Sequence, residues 1–165
     1  MKYDVILAGV GGQGVLSVAT AIALGAMKDG LHVRQSEVHG MAQRGGAVQA
    51  HLRLSDGPIY ADLVGRAGAH LILSMEPLEA LRYLAYLRPD GVVVSAAEPV
   101  RNIGNYPEIE RVYAELRRLP EHRLIEAAEL AREAGAARAT NMVMVGAASG
   151  FLPVRKESLL AAIEE

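Results

Sequence analysis

The sequence predicts an α/β protein, a Rossmann-like three-layer sandwich whose mostly parallel sheet carries an inserted antiparallel hairpin. Three observations predict it. Short runs such as residues 5–8 and 69–74 are apolar on both faces, as strands buried between two helical layers must be. Longer apolar stretches of helical length alternate with these runs along the chain. A glycine-rich segment joins the first run to the first helical stretch. At 165 residues, 51% apolar, with one Phe and no Trp, the chain can bury one core of Ala, Val, Leu, Ile and Met, so residues 1–165 are read as a single domain.

The elements follow in order. The first strand, residues 5–8, stops at Gly9, and residues 15–27 form a helix that ends near Gly30 by a C-terminal glycine stop. Residues 32–36 resume as a strand, so the chain is expected to open as a right-handed βαβ unit. Residues 37–46 lack a hydrophobic period and contain three glycines, which makes them a loop. Val48, Ala50, Leu52 and Leu54 then alternate with Gln49, His51 and Arg53, which predicts a strand with one wet face. Asp56-Gly57-Pro58 is a turn signal, and residues 59–63 are expected to return as the hairpin partner. Residues 69–74 and 91–96 read as buried strands, separated by a helix over 76–87 that begins near Pro77. Amphipathic helices are predicted over 108–119 and 126–134, with a short strand at 123–125 between them, and residues 102–107 read as a mobile connection. Residues 141–148 are too apolar all round for a surface helix and should lie against the sheet. Pro153 breaks that run, and residues 156–163 close the chain as a helix.

Charge and composition exclude several function classes. The formal net charge is −2 and the arginines are interspersed with acids and apolar residues, so no nucleic-acid partner is expected. The absence of cysteine rules out disulfides, thiolate-held iron–sulfur clusters and Cys-based zinc sites within the chain. No stretch approaches the ~18 apolar residues of a membrane span, and the first residues begin a strand rather than a signal peptide, so a cytoplasmic protein is expected. No catalytic residue and no metal ligand is assigned.

Gly9-Val10-Gly11-Gly12-Gln13-Gly14 matches the dinucleotide-binding pattern and sits between a strand and a helix, where the mechanism needs it. Glycines there permit positive φ, close approach of a ligand to backbone N–H groups and close helix–strand packing, and an anion is favoured at the helix N-terminus. The acid expected about twenty residues on to hold a ribose is poorly placed, because Asp29 and Glu37 bracket a strand that carries His32, Arg34 and Gln35. Three readings stand: a dinucleotide cofactor, a packing turn without a ligand, and a phosphate or pantetheine-type ligand shared with another subunit.

The second loop, Glu37-Val38-His39-Gly40-Met41-Ala42-Gln43-Arg44-Gly45-Gly46, follows the second strand and so reaches the same carboxyl edge of the sheet. His39, Gln43 and Arg44 would supply a titratable group, an amide and a fixed cation there, and Gly45-Gly46 would let the backbone approach a ligand. The alternative is that Arg44 pairs with Glu37 and caps the loop.

Together the two loops, followed by an alternating strand, resemble the signature of the gamma domain of 2-oxoacid:ferredoxin oxidoreductases. The run His39-Gly40-Met41-Ala42-Gln43-Arg44-Gly45-Gly46 is similar to the small subunit of the indolepyruvate branch, and Asn141-Met142-Val143-Met144-Val145-Gly146 resembles the family's late helix. The resemblance covers essentially the whole chain. It implies a multi-subunit enzyme that decarboxylates a 2-oxoacid, passes electrons to ferredoxin and releases an acyl-CoA. Thiamine diphosphate, magnesium and 4Fe-4S clusters would belong to a large partner subunit, with ferredoxin reached through that subunit and coenzyme A as co-substrate. The chain itself would hold no cofactor and would act as a scaffold on the coenzyme A side. The residues that would contact coenzyme A are then Gly9, Gly11, Gly12, Gln13, Gly14, Arg44, Gly45 and Gly46, while His39, Gln43 and Asn141 would face substrate or the subunit boundary. The competing functions are a free-standing dinucleotide-binding oxidoreductase and a ligand-free structural adaptor.

Overall fold

Val5, Ile6, Leu7 and Ala8 are all completely buried. Because successive strand residues point to opposite faces, Val5 and Leu7 enter one apolar cluster and Ile6 another. The computed structural model describes residues 1–39 and 45–164, His39 by its backbone alone. Its strands are β1 (Lys2–Val10), β2 (His32–His39), β3 (Ala47–Ser55), β4 (Ala69–Ser74), β5 (Leu87–Ala96) and β6 (His122–Ile125). The helices are α1 (Val15–Lys28), α2 (Pro77–Arg82), α3 (Ile109–Arg117), α4 (Ala127–Glu133), α5 (Thr140–Ala148) and α6 (Lys156–Ile163).

The strands form one sheet in the order β2-β3-β1-β4-β5-β6. β1, β4, β5 and β6 pair in parallel, whereas β3 is antiparallel to both β1 and β2. One face packs Val5, Leu7, Leu71 and Leu73 against α1, α5 and α6 through Val18, Ile22, Met144, Ala148 and Leu159. The other face packs Ile6, Ile72 and Val93 against Ala80 of α2 and Val112 and Leu116 of α3. This is the expected three-layer α/β sandwich. Among the described residues, no helix is long and apolar enough to cross a membrane.

The antiparallel pairing lies elsewhere than the turn signal suggested. β3 pairs along both edges, with Val5 opposite Leu52 on one side and Gln35 opposite Leu52 on the other, so residues 59–63 find no edge to join and form no strand. β1 and β2 are therefore separated by β3 and do not form an adjacent βαβ pair. The face expected to be wet is also covered. His51 is 2% and Arg53 7% exposed. His51 Nδ1 accepts the Val64 N–H at 2.9 Å, and its Nε2 lies 2.9 Å from Gln49 Nε2. Arg53 donates to Asp4 Oδ1 at 2.8 Å and to the carbonyls of Ala61 and Leu63 at 2.9 and 3.1 Å. The segment after Pro58 thus folds down as a cover whose backbone is hydrogen-bonded by the very side chains that read as solvent-facing.

The helix expected over 76–87 ends at Arg82, followed by one 3-10 turn at Leu84–Tyr86, because β5 starts early at Leu87. Its register against β4 jumps from Ala69↔Leu87 to Leu71↔Val92, and the extra residues Arg88, Pro89 and Asp90 form an irregularity where a proline without an N–H is tolerated.

Candidate functional site at the carboxyl edge of β1, β4 and β5

β1 leads into α1 on one face of the sheet and β4 leads into α2 on the other. Between diverging connections an α/β sheet opens a crevice outside the carboxyl ends of its strands. A cleft of about 360 Å³ lies there, walled by Gly12, Gln13 and Gly14 after β1, Met75 after β4, Glu98 and Val100 after β5, and Arg138, Thr140, Asn141 and Met144 from the approach to α5 and its first turns.

The glycine loop is held by its own glutamine. Val10 N–H donates to Gln13 Oε1 at 2.8 Å, and Gln13 Nε2 donates to the Met75 carbonyl at 3.0 Å. The Gln13 N–H closes the turn onto the Val10 carbonyl at 3.0 Å. Gln13 thus spends its side chain inside the protein. Gly12 and Gly14 have φ of 101° and 77°, which L side chains adopt poorly. A Cβ on Gly9 would come within 2.7 Å of Val15 Cγ2, so this glycine serves the close packing of α1 on the sheet. A Cβ on Gly14 would come within 2.8 Å of Asn141 Nδ2. Asn141 Oδ1 accepts the Met142 N–H at 2.9 Å, which leaves Nδ2 turned to the loop with no acceptor among the described residues. The N–H groups of Gly12 and Gly14 likewise find no acceptor among the described residues, and with the first turn of α1 they offer donors to an anion.

The second loop meets the first through backbone. Gly11 N–H donates to the Gly46 carbonyl at 2.8 Å, and Asn102 Nδ2 donates to the Gly45 carbonyl at 2.5 Å. Gly45 itself has φ 74°. On the far side of the glycine loop a second recess of about 340 Å³ is lined by Gly11, Gly12, Leu16, Glu37 and Val48.

Of the residues singled out from sequence, Gly12, Gln13, Gly14 and Asn141 come together around the cleft. Gly11, Gly45 and Gly46 adjoin it, and Gly9 lies beneath it. Gln43 and Arg44 lie outside the described residues, as does the side chain of His39. Sequence reading missed Glu98, Val100, Arg138 and Thr140. Glu98 lies two residues beyond the end of a buried strand, where rim residues fall, and its Oε1 accepts the Ala128 N–H at the start of α4 at 2.6 Å. Arg138 is the lone charge in Ala136-Ala137-Arg138-Ala139 and is exposed, with no ion-pair or hydrogen-bond partner among the described residues. Both signals were present in the sequence.

The surroundings fit a dinucleotide poorly. β3 stands where the ribose-binding strand would neighbour β1, which moves the end of β2 outward to about 10 Å from β1. Asp29 sits at the opposite end of α1, where it receives the Arg155 N–H and guanidinium at 2.7 Å each and the Ser158 hydroxyl. Burial alone would raise the Asp29 carboxyl, but these donors outweigh it and hold it below the usual carboxylate range. Among the described residues no group of three or more His, Cys, Asp or Glu is arranged to hold a metal ion.

The profile of the family described as pyruvate ferredoxin/flavodoxin oxidoreductase matches residues 4–165. The chain is 37% identical over 174 aligned positions to the indolepyruvate oxidoreductase subunit IorB of Archaeoglobus fulgidus, spanning 100% of this chain and 86% of that one. It is 39% identical over 158 positions to the subunit of the same name from Pyrococcus horikoshii, spanning 88% and 76%. The pyruvate/ketoisovalerate oxidoreductases common subunit gamma of Thermococcus kodakarensis is 29% identical, spanning 95% and 82%. Among solved structures, a keto/oxoacid ferredoxin oxidoreductase gamma subunit from Geobacter sulfurreducens superposes with a TM-score of 0.69 at 24% identity, covering 98% of this chain and 84% of that one. The 2-oxoglutarate:ferredoxin oxidoreductase of Magnetococcus marinus, solved with 2-oxoglutarate, coenzyme A and succinyl-CoA, superposes with a TM-score of 0.74 at 20% identity. The superposition covers 99% of this chain and 26% of that one, and at such identities the likeness is one of fold.

Proposed function

This chain belongs to the pyruvate ferredoxin/flavodoxin oxidoreductase family, and from that membership we propose that it serves an indolepyruvate or related arylpyruvate:ferredoxin oxidoreductase on the coenzyme A side of the reaction. It is a small subunit of a 2-oxoacid:ferredoxin oxidoreductase, and the indolepyruvate assignment is supported by the names of its relatives at 37% and 39% identity. The reaction consumes a 2-oxoacid and coenzyme A, releases carbon dioxide and an acyl-CoA, and delivers two electrons to ferredoxin.

Decarboxylation on thiamine diphosphate with its magnesium and electron transfer through 4Fe-4S clusters are chemistry for a large partner subunit. This chain has no cysteine to hold a cluster, and its acids are dispersed or engaged in capping and ion pairs. Its own contribution is to bind and orient. The N–H groups of Gly12, Gly14 and the first turn of α1 would meet a phosphate, Arg138 would add a fixed positive charge, and Asn141 Nδ2 would donate to an amide or phosphate oxygen. Arg44, beside Gly45-Gly46, is a further candidate by sequence position. Gln13 acts on this reading as the brace of the loop.

The observation that carries the proposal is the cleft in which glycine-loop amides, Arg138 and Asn141 converge at the switch point of the sheet. The test is co-expression with the large subunit and measurement of arylpyruvate-dependent ferredoxin reduction with and without this chain. Activity should require the chain, and Arg138→Ala and Arg44→Lys should each raise the KM for coenzyme A. Full activity without the chain, or an unchanged KM in both variants, would overturn the assignment.

A further inference from the structure

Glu76 follows β4 and is 1% exposed, yet it lines neither the cleft nor the recess behind the glycine loop. Its carboxylate accepts from three places. Oε2 takes the Glu79 N–H at 2.9 Å and so caps α2. Oε1 takes the Val100 N–H at 3.2 Å and the Tyr106 hydroxyl. All three donors are uncharged, and among the described residues no cation pairs with it. A buried carboxylate without a cation is costly, and a glutamine in its place could accept at one side-chain atom instead of two.

The segment held by Oε1 is the one that walls the cleft. Val100 and Glu98 line it, and Asn102 grips the Gly45 carbonyl. From there the chain of contacts closes on itself. The Gly46 carbonyl accepts from Gly11, Gln13 of the same loop donates to the Met75 carbonyl, and Met75 is bonded to Glu76. The three rim segments thus form one hydrogen-bonded ring around the carboxyl edge, with Glu76 at the point where β4, α2 and residues 97–107 meet.

We propose that Glu76 is a positioning residue for coenzyme A binding, holding residues 97–107 so that Glu98 and Val100 wall the cleft and Asn102 keeps the Gly45–Gly46 backbone beside the glycine loop. The inference rests on the reading of the cleft given above. Releasing the segment lowers the fraction of molecules with a formed cleft, and apparent affinity falls by that fraction while turnover at saturation does not.

The test uses the assembled oxidoreductase. Tyr106→Phe removes one hydroxyl from the Glu76 bond and should raise the KM for coenzyme A by about tenfold, the effect of one charge-assisted hydrogen bond, with kcat within about twofold. Amide hydrogen exchange across residues 97–107 should quicken in parallel. Asn102→Ala should act the same way, and the double variant should be no worse than the poorer single one, because both open one ring. Glu76→Gln should exceed either, and if it fails to assemble, Tyr106→Phe still decides. Arg138→Ala separates the two levels. If it raises the KM while Tyr106→Phe and Asn102→Ala leave it unchanged, the role of Glu76 is refuted and the cleft stands. If no variant moves the KM, the cleft reading falls and this proposal falls with it. A loss confined to kcat would also overturn it.

Discussion

Gln13 and Met75, 62 residues apart, are joined by a 3.0 Å hydrogen bond from the glutamine amide to the methionine carbonyl, and the same amide's oxygen takes the Val10 N–H at 2.8 Å. The bond fixes the end of β1 to the end of β4, the two strands between which the sheet divides. The width of the crevice is therefore set by a side chain that a motif reading assigns to ligand. Gln13→Glu would place a carboxylate oxygen against the Met75 carbonyl. It should lower the stability of the assembled protein by about 1–3 kcal/mol, measured by denaturant unfolding. An unchanged midpoint would show that the brace contributes nothing.

Gly12 and Gly14 separate strain from obstruction. Both have positive φ, but a Cβ on Gly12 meets nothing within 4 Å, whereas one on Gly14 meets Asn141 Nδ2 at 2.8 Å. Gly12→Ala should cost roughly 1 kcal/mol of backbone strain. Gly14→Ala should add to that a displaced Asn141 and a several-fold rise in the KM for coenzyme A. Equal KM values in the two variants would remove Asn141 from the site.

Arg53 and Asp4 form a buried pair whose side chains are 8% and 5% exposed. Arg53→Leu should destabilise by about 3–5 kcal/mol, since it leaves the buried Asp4 carboxylate with only the exposed Lys2 ammonium at 3.5 Å and also frees the carbonyls of Ala61 and Leu63. The double replacement Asp4→Leu with Arg53→Leu should cost less than Arg53→Leu alone, a comparison that thermal unfolding can make.

Burial, and then the charge of Arg53, pushes His51 below its ordinary value of 6.5, and burial with Arg88 does the same to His70. Both imidazoles are favoured neutral in the fold, so below about pH 6.5 the unfolded chain binds more protons than the folded one. Stability is then fully present above that pH and falls as the medium is acidified toward the lower folded-state values. A Tm profile from about pH 7.5 to pH 5 should slope downward with acid, and His51→Gln should flatten part of that slope. A slope indifferent to His51 would contradict the assignment.

What was legible in the sequence was local. The last helix spans the predicted residues 156–163, because Pro153 fixes where it can begin, and β4 spans the predicted 69–74, because a run apolar on both faces belongs between two layers. The turn at Gly9–Gly14 between strand and helix was likewise readable, whereas the approach of Asn141 to Gly14 was not. The position of β3 was not, since which edges a strand joins is settled by pairings far apart in sequence. His51 and Arg53 looked solvent-facing because the alternation of β3 implied one wet face and residues 59–63 read as a hairpin strand beside it, not as the cover they form. Glu98 and Arg138 enter the site from separate connections, and nothing in their own neighbourhoods states that they converge.

The reversed strand has one more consequence. Every other strand of this sheet leaves the rim behind as a carboxyl end, whereas β3 arrives there, delivering Gly45 and Gly46 as incoming backbone beside Gly11. Anchorage of both loop ends belongs to the ladders, with His39 opposite Val48 and Val10 opposite Ala47. The ladders on either side therefore fix where the stretch between His39 and Gly45 must leave and re-enter the sheet, independently of the side chains it carries.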